Sequence, residues 1–135
     1  MIVLDSSFLI AFHNERDFHH AKACALMHRF LAGAWGQGLL LEYVYLEIVT
    51  VLLVRRDLSI ATRIGRVLLH AAELEFVPCS DLFLETVEAF STQAGTRLSF
   101  ADAAIAGVAR SRADGRILSF DEEFKKVSDL HINPD

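Results

Sequence analysis

Short apolar runs that stop abruptly and give way to helical periodicity leave this chain few folds to adopt. Ile2-Val3-Leu4 ends at Asp5, and SSFLIAF then continues with helical spacing; Ile117-Leu118 ends in the same manner before Asp121. Runs this short read as strands, and strands apolar without alternation are those buried on both faces of a parallel sheet. The pattern predicts a strand at about 2–4 and helices at about 6–13 and 17–32, the second ended by Gly33. It continues with a strand near 38–42, helices near 43–56 and 58–73, and a strand at about 75–77 stopped by Pro78. Ser80 and Asp81 open a helix to about Gln93. The remainder reads as a helix at about 99–113, a Gly115 turn, a strand at 116–119, a short helix from 121 and a strand at Leu130 to Ile132. Strands alternating with helices, often in pairs, predict an α/β chain of three layers, α/β/α, around a central parallel sheet. With 135 residues, 53% of them hydrophobic, and no internal repeat or linker, the expectation is one domain over 1–135 with a substantial core.

The charge balance, 13 Lys and Arg against 18 Asp and Glu, gives a formal net charge of -5. That balance does not advertise a nucleic-acid binder, but acids that hold a cation would cancel part of it. Arg55, Arg56, Arg63 and Arg66 cluster in sequence and read first as a solvated helix face. The two cysteines, Cys24 and Cys79, lie in apolar surroundings without framework spacing, so a reducing, cytoplasmic setting is expected. The first residues lack the basic segment and cleavage site of a signal peptide. GLLLEYVYLEIVTVLLV, from Gly38 to Val54, approaches the length of a membrane span. Glu42 and Glu47 would each cost about 3 kcal/mol near a bilayer centre, so a buried strand followed by a helix accounts for it better.

The chemistry concentrates in four carboxylates, Asp5, Glu47, Asp102 and Asp121, which sit where apolar segments end or helices begin. Each of the three aspartates has a plain structural use. Asp5 and Asp121 suit helix N-caps, and Ser99-Phe-Ala-Asp102 matches a capping box. Glu47 differs, because its neighbours at helical spacing, Tyr43, Val44, Thr50, Val51 and Val54, form a largely apolar face. A carboxylate buried there needs a cation, a proton or a basic partner. Ligands collect beyond the carboxyl ends of strands in open parallel sheets, so these acids are expected to meet in one crevice. An all-oxygen set of this kind suits a hard divalent cation such as magnesium or manganese.

The opening IVLDSSFLIA, the segment LEYVYLEIVTVLLVRR, the stretch LSFADAAIAGVARSRADG and the closing RILSFDEEF resemble, in order and over nearly the whole chain, the four acidic motifs of PIN-domain nucleases. Among these the chain is most similar to the VapC-type toxins of prokaryotic toxin–antitoxin pairs. The resemblance carries the family's acids to Asp5, Glu47, Asp102 and Asp121, and places Ser6 and Ser119 where the family has hydroxyl residues near the metal. It implies a Mg2+- or Mn2+-dependent ribonuclease that cuts single-stranded RNA to 5′-phosphate and 3′-hydroxyl ends. A homodimer and a cognate antitoxin are implied as partners. Asp5 and Asp102 are the expected direct ligands, with Glu47 and Asp121 ligating directly, through water, or at a second ion. Glu42 stands where some relatives carry an acid and is accessory. Glu123 replaces the second Asp that the family often has in its last motif, and Ser119 stands in for its usual Thr. Arg97, shortly before Asp102, is a candidate phosphate contact.

Other signals point elsewhere with less force. His20, Cys24 and His28 share a helix face, but the outer two stand roughly 12 Å apart, too far for one zinc ion. GAWGQG at 33–38 precedes a strand instead of following one, which excludes a dinucleotide loop, and no G-x-S-x-G turn supports a serine nucleophile. Phe8, Phe12, Phe30, Phe83 and Phe90 fall at helical spacings that suit core packing, while Phe100 is a candidate base neighbour. Two rival functions follow: a PIN-like scaffold acting mainly by binding protein, which the acidic balance favours, and a small-molecule phosphatase. The phosphatase lacks its paired Asp-x-Asp at DSSFL.

Overall fold

A computed structural model describes residues 1–135. Five strands, β1 (Ile2–Leu4), β2 (Gly38–Leu41), β3 (Leu74–Val77), β4 (Arg116–Leu118) and β5 (His131–Ile132), alternate with six helices. The helices are α1 (Ser6–His13), α2 (His20–Leu31), α3 (Glu42–Arg55), α4 (Leu58–His70), α5 (Phe83–Ser91) and α6 (Phe100–Arg112). The expected elements all form, with shifted ends. Helix α2 begins at His20 because the Asp17 carboxylate takes the His19 N–H at 2.8 Å and holds the preceding residues in turns. The helix expected from Ser80 opens as a 3-10 turn, Ser80–Leu82, and stops at Ser91. There the Ser91 hydroxyl bonds the Val87 carbonyl and the Thr92 hydroxyl the Glu88 carbonyl, both at 2.7 Å. Hydroxyls that compete for helical carbonyls in this way favour a stop. The short helix after Asp121 is 3-10, Glu122–Lys126.

All strand pairs are parallel, in the order β3-β2-β1-β4-β5. From β1 the chain steps through β2 to β3 at one edge, then returns to β4 on the other side of β1. Crossovers of one hand put the helices before and after that reversal on opposite faces, which yields the three-layer α/β/α architecture. Helices α1, α2, α3 and α4 pack as one connected group, and α5 packs on α6 as another. The reversal lies between β1 and β4, which are paired at Val3–Ile117 and Leu4–Leu118. That is the switch point at which parallel sheets open a crevice beyond their carboxyl ends.

The core follows from the apolar strands. Ile2, Val3, Leu39, Leu41, Ile117 and Leu118 are fully buried, with Phe8, Ile48, Ile105 and Phe124 packed over them. At Gly115 the backbone is left-handed, φ 77°, and a Cβ would strike the Asp129 carbonyl, so glycine alone fits the turn into β4. Phe83 and Phe90 depart from the expected core packing. They remain 49% and 42% exposed on α5, of which only Thr86 is buried. Together with Tyr43 they ring Phe100, which is half-buried at the start of α6. The 38–54 stretch divides into β2 and α3, and no helix is long and apolar enough to cross a membrane.

Candidate active site

Asp5 leaves the end of β1 at the switch point, its N–H bonded to the Leu118 carbonyl of β4 at 3.0 Å. It occupies the cap position of α1 without capping it. Its Oδ2 instead accepts the hydroxyls of Ser119 at 2.6 Å and Ser7 at 2.7 Å. Ser6 donates to Glu47 Oε2 at 3.0 Å and lies 3.4 Å from Asp5 Oδ1, so one hydroxyl links two acids 42 positions apart in the sequence numbering of Asp5 and Glu47. Ser119 also accepts the Asp121 N–H at 3.0 Å, while its own backbone is clamped by Asn133 through bonds of 2.9 and 2.8 Å. Ser7 accepts the Phe120 N–H at 2.9 Å. A web of hydroxyls therefore fixes Asp5 against the segment after β4.

Asp102 lies in the first turn of α6, its N–H capped by Ser99 at 3.1 Å. Asp121 performs the capping expected of it, accepting the Glu123 N–H at 3.0 Å. Both nevertheless line the same pocket as Asp5 and Glu47. That pocket, of about 340 Å3, is walled by Asp5, Ser6, Ser7, Ile10, Glu47, Ser99, Asp102 and Asp121, with no Lys or Arg among them. Four acids from four separate segments thus converge. As placed, no three His, Cys, Asp or Glu side chains stand close enough together to hold one ion. What fits a divalent cation is the donor chemistry, oxygen throughout and without a protein countercharge.

The electrostatics carry the mark of that crowding. Burial pushes the Asp5 carboxyl above its ordinary 3.8, opposed by the hydroxyls of Ser119 and Ser7. Asp102 is pushed up to about 7, first by desolvation and then by the negative charge of Asp5, with Asp121 adding to the effect and Ser99 opposing it. Carboxylates displaced by burial and like charge in a shared cleft mark a candidate functional site.

Other expected residues fall differently. Glu47 is exposed, not buried on an apolar face: Thr50 and Val54 beside it also face solvent. The burial argument for it fails, and its place in the pocket rests on Ser6. Glu42 stands outside the pocket, its Oε1 accepting the Cys79 N–H at 3.0 Å. Glu123 lies outside as well, paired with Lys126 and accepting the Arg97 N–H at 3.0 Å, which also ties down the Arg97 backbone. Ser7 and Asn133 were not anticipated. The doubled serine after Asp5 was the available signal for Ser7, whereas nothing local marks Asn133. The zinc alternative reduces to a contact of 3.3 Å between His20 Nε2 and Cys24 Sγ.

Residues 2–130 match the PIN domain family. Among solved structures the chain is similar to the VapC20 toxin of Mycobacterium tuberculosis, described as cleaving the sarcin–ricin loop. The TM-score is 0.83 at 22% identity, over 99% of this chain and 100% of that one. No curated protein sequence matches the chain.

Proposed function

The chain belongs to the PIN domain family, and from that premise we propose that it is a divalent-metal-dependent ribonuclease, the toxin of a VapBC-type pair. The observation that carries the reading is the convergence of Asp5, Glu47, Asp102 and Asp121 on one pocket with no cationic side chain. In this reading Asp5 and Asp102 hold a Mg2+ or Mn2+ ion, and Glu47 and Asp121 complete the donor set. A cation bound there supplies Lewis acidity toward a phosphodiester and lowers the pKa of water.

The chain's own residues prepare for this. Ser7 and Ser119 both donate to Asp5 Oδ2, which orients the carboxylate and leaves Oδ1 toward Ser6. Ser6 holds Glu47 Oε2 on the same rim. Asp102, with its pKa near 7, carries a proton part of the time at neutral pH and must release it to ligate, so affinity for a cation rises with pH. The fit of a VapC-type toxin further implies an RNA substrate, a cognate antitoxin, a homodimer and a cytoplasmic location. A second reading, a scaffold acting mainly by protein binding, draws on the exposed apolar stripe of α5, where Leu84 is 80% exposed.

Cleavage decides between the two. Wild-type protein with manganese should cut RNA, a sarcin–ricin loop oligonucleotide and whole cellular RNA being the first substrates to try. Asp5→Asn and Asp102→Asn should each remove that cleavage while keeping the fold by circular dichroism. Wild-type rates in both purified variants would overturn the assignment of these acids, and a wild type inert on all RNA would favour the scaffold.

A further inference from the structure

A second cleft, of about 740 Å3, opens between α4 and the end of α1 with the turn that follows it. Arg16, Arg56 and Arg63 line it together with His13, against a single carboxylate, Glu15. Arg63 and Arg66 also line a neighbouring cleft of about 640 Å3. The three arginines come from three segments: the turn after α1, the α3–α4 connection and α4. The arginines of the run are solvent-exposed, as its first reading expected, and Arg56 and Arg63 meet Arg16 along one cleft, which that reading did not include.

The distribution of ion pairs sharpens the point. Every salt bridge uses a cation from α6 onward: Arg110, Arg112, Arg116, Lys125 and Lys126. Arg16, Arg56, Arg63 and Arg66 take part in none. Lys22, Arg29, Arg55 and Arg97 make no ion pair either, so what sets the four arginines apart is that they line adjoining clefts on a chain of formal charge -5.

The two clefts share a wall. On α1, Ser6, Ile10 and His13 fall at i, i+4 and i+7, one helix face. Ser6 and Ile10 line the carboxylate pocket and His13 lines the arginine cleft. From Asp5 to His13 the distance along the helix is about 12 Å at 1.5 Å per residue.

We propose that the arginine cleft holds backbone phosphates of the same RNA strand whose scissile bond lies at the four carboxylates. The inference rests on the ribonuclease reading and adds the positioning residues. The carboxylate pocket offers no cationic side chain to a polyanion, so the protein's share of strand affinity has to come from beyond it. Guanidiniums are the groups that grip phosphate oxygens in pairs. The shared α1 face favours the substrate of the carboxylate pocket over an acidic polypeptide, which would have no reason to border it.

The test measures binding of a labelled single-stranded RNA pool to metal-free Asp102→Asn protein as salt is raised, with manganese-dependent cleavage by the wild type followed in parallel. Adding Arg56→Ala and Arg63→Ala should lower the slope of log affinity against log salt by about 1.4, two phosphate contacts at about 0.7 each. From roughly 50 to 200 mM salt, the parent should therefore lose about sevenfold more affinity than the variant. Arg110→Ala, which removes an equal charge at the Asp129 pair, should leave the slope unchanged, and Arg63→Lys should restore most of it. An unchanged slope in the Arg56→Ala, Arg63→Ala protein, with wild-type cleavage intact, overturns the cleft proposal alone. Absence of cleavage and of RNA binding in every protein overturns the ribonuclease reading. Binding of a labelled oligoglutamate peptide is measured on the same proteins: an unchanged RNA slope together with loss of oligoglutamate binding in the Arg56→Ala, Arg63→Ala protein overturns the proposal in favour of an acidic protein partner.

Discussion

Asp102 shows how one residue serves two physical demands. Its backbone satisfies the Ser99 cap that the sequence pattern foretells, while its carboxylate sits half-buried beside Asp5 and is pushed up to about 7. A raised folded-state pKa means that the folded protein binds a proton which the unfolded chain, near 3.8, gives up. Between about pH 4 and pH 7, stability of the metal-free protein therefore falls as pH rises, the penalty being complete above the folded value. The shift at Asp5 acts in the same direction. Melting curves from pH 5 to 8 in chelator should show wild type losing stability relative to Asp102→Asn, and a difference that stays flat with pH would refute this account. Single residues were legible where chemistry and position coincide, as at Asp5 after β1. Glu47 was placed in the pocket by sequence for a reason that fails, since helical spacing shows apolar neighbours but not whether another element covers them. Ser7 and Asn133 act through contacts at sequence separations of more than ten residues, which no local pattern displays.

Among the elements, α4 carries the clearest start signal. Asp57 accepts the Ile60 N–H at 2.8 Å in a cap geometry, φ -161° and ψ 171°, and it is exposed. Asp57→Ala should destabilise the protein by about 1 kcal/mol, read from urea unfolding with an unchanged slope. A change below a few tenths would show that tertiary packing, not the cap, sets the start of α4. Strands and most helices were legible because each apolar run matches one period and stops at a polar or breaking residue. Ends were less so: α2 starts late because Asp17 bonds a nearby N–H, and α5 stops early because Ser91 and Thr92 bond helical carbonyls. Such side-chain competition is decided by rotamers, which propensity does not resolve. The exposure of Phe83 and Phe90 escaped the sequence for a related reason. Spacing defines an apolar stripe on α5, but whether another element covers it depends on how the layers pack.

At the scale of the molecule, the order β3-β2-β1-β4-β5 assembles the pocket. It brings the residue after β1 beside the segment after β4, which lie more than a hundred residues apart, while α3 and α6 contribute from separate parts of the chain. Parallel pairing was foreseeable from the unbroken apolar strands, but strand order was not, since several right-handed arrangements satisfy the same pattern. A cation that bridges these acids would therefore tie distant segments together and bind the folded state without a counterpart in the unfolded chain. By mass action, magnesium or manganese at 100 times its dissociation constant should stabilise the protein by about 2.7 kcal/mol. For a chain of this size that is a rise in melting temperature on the order of 10 °C. Asp5→Asn should abolish the rise, because it withdraws the one acid held by hydroxyls from both sides of the switch point. Equal shifts in wild type and Asp5→Asn would place the cation elsewhere on this acidic chain, and the absence of a shift in either would remove the metal from the proposed mechanism.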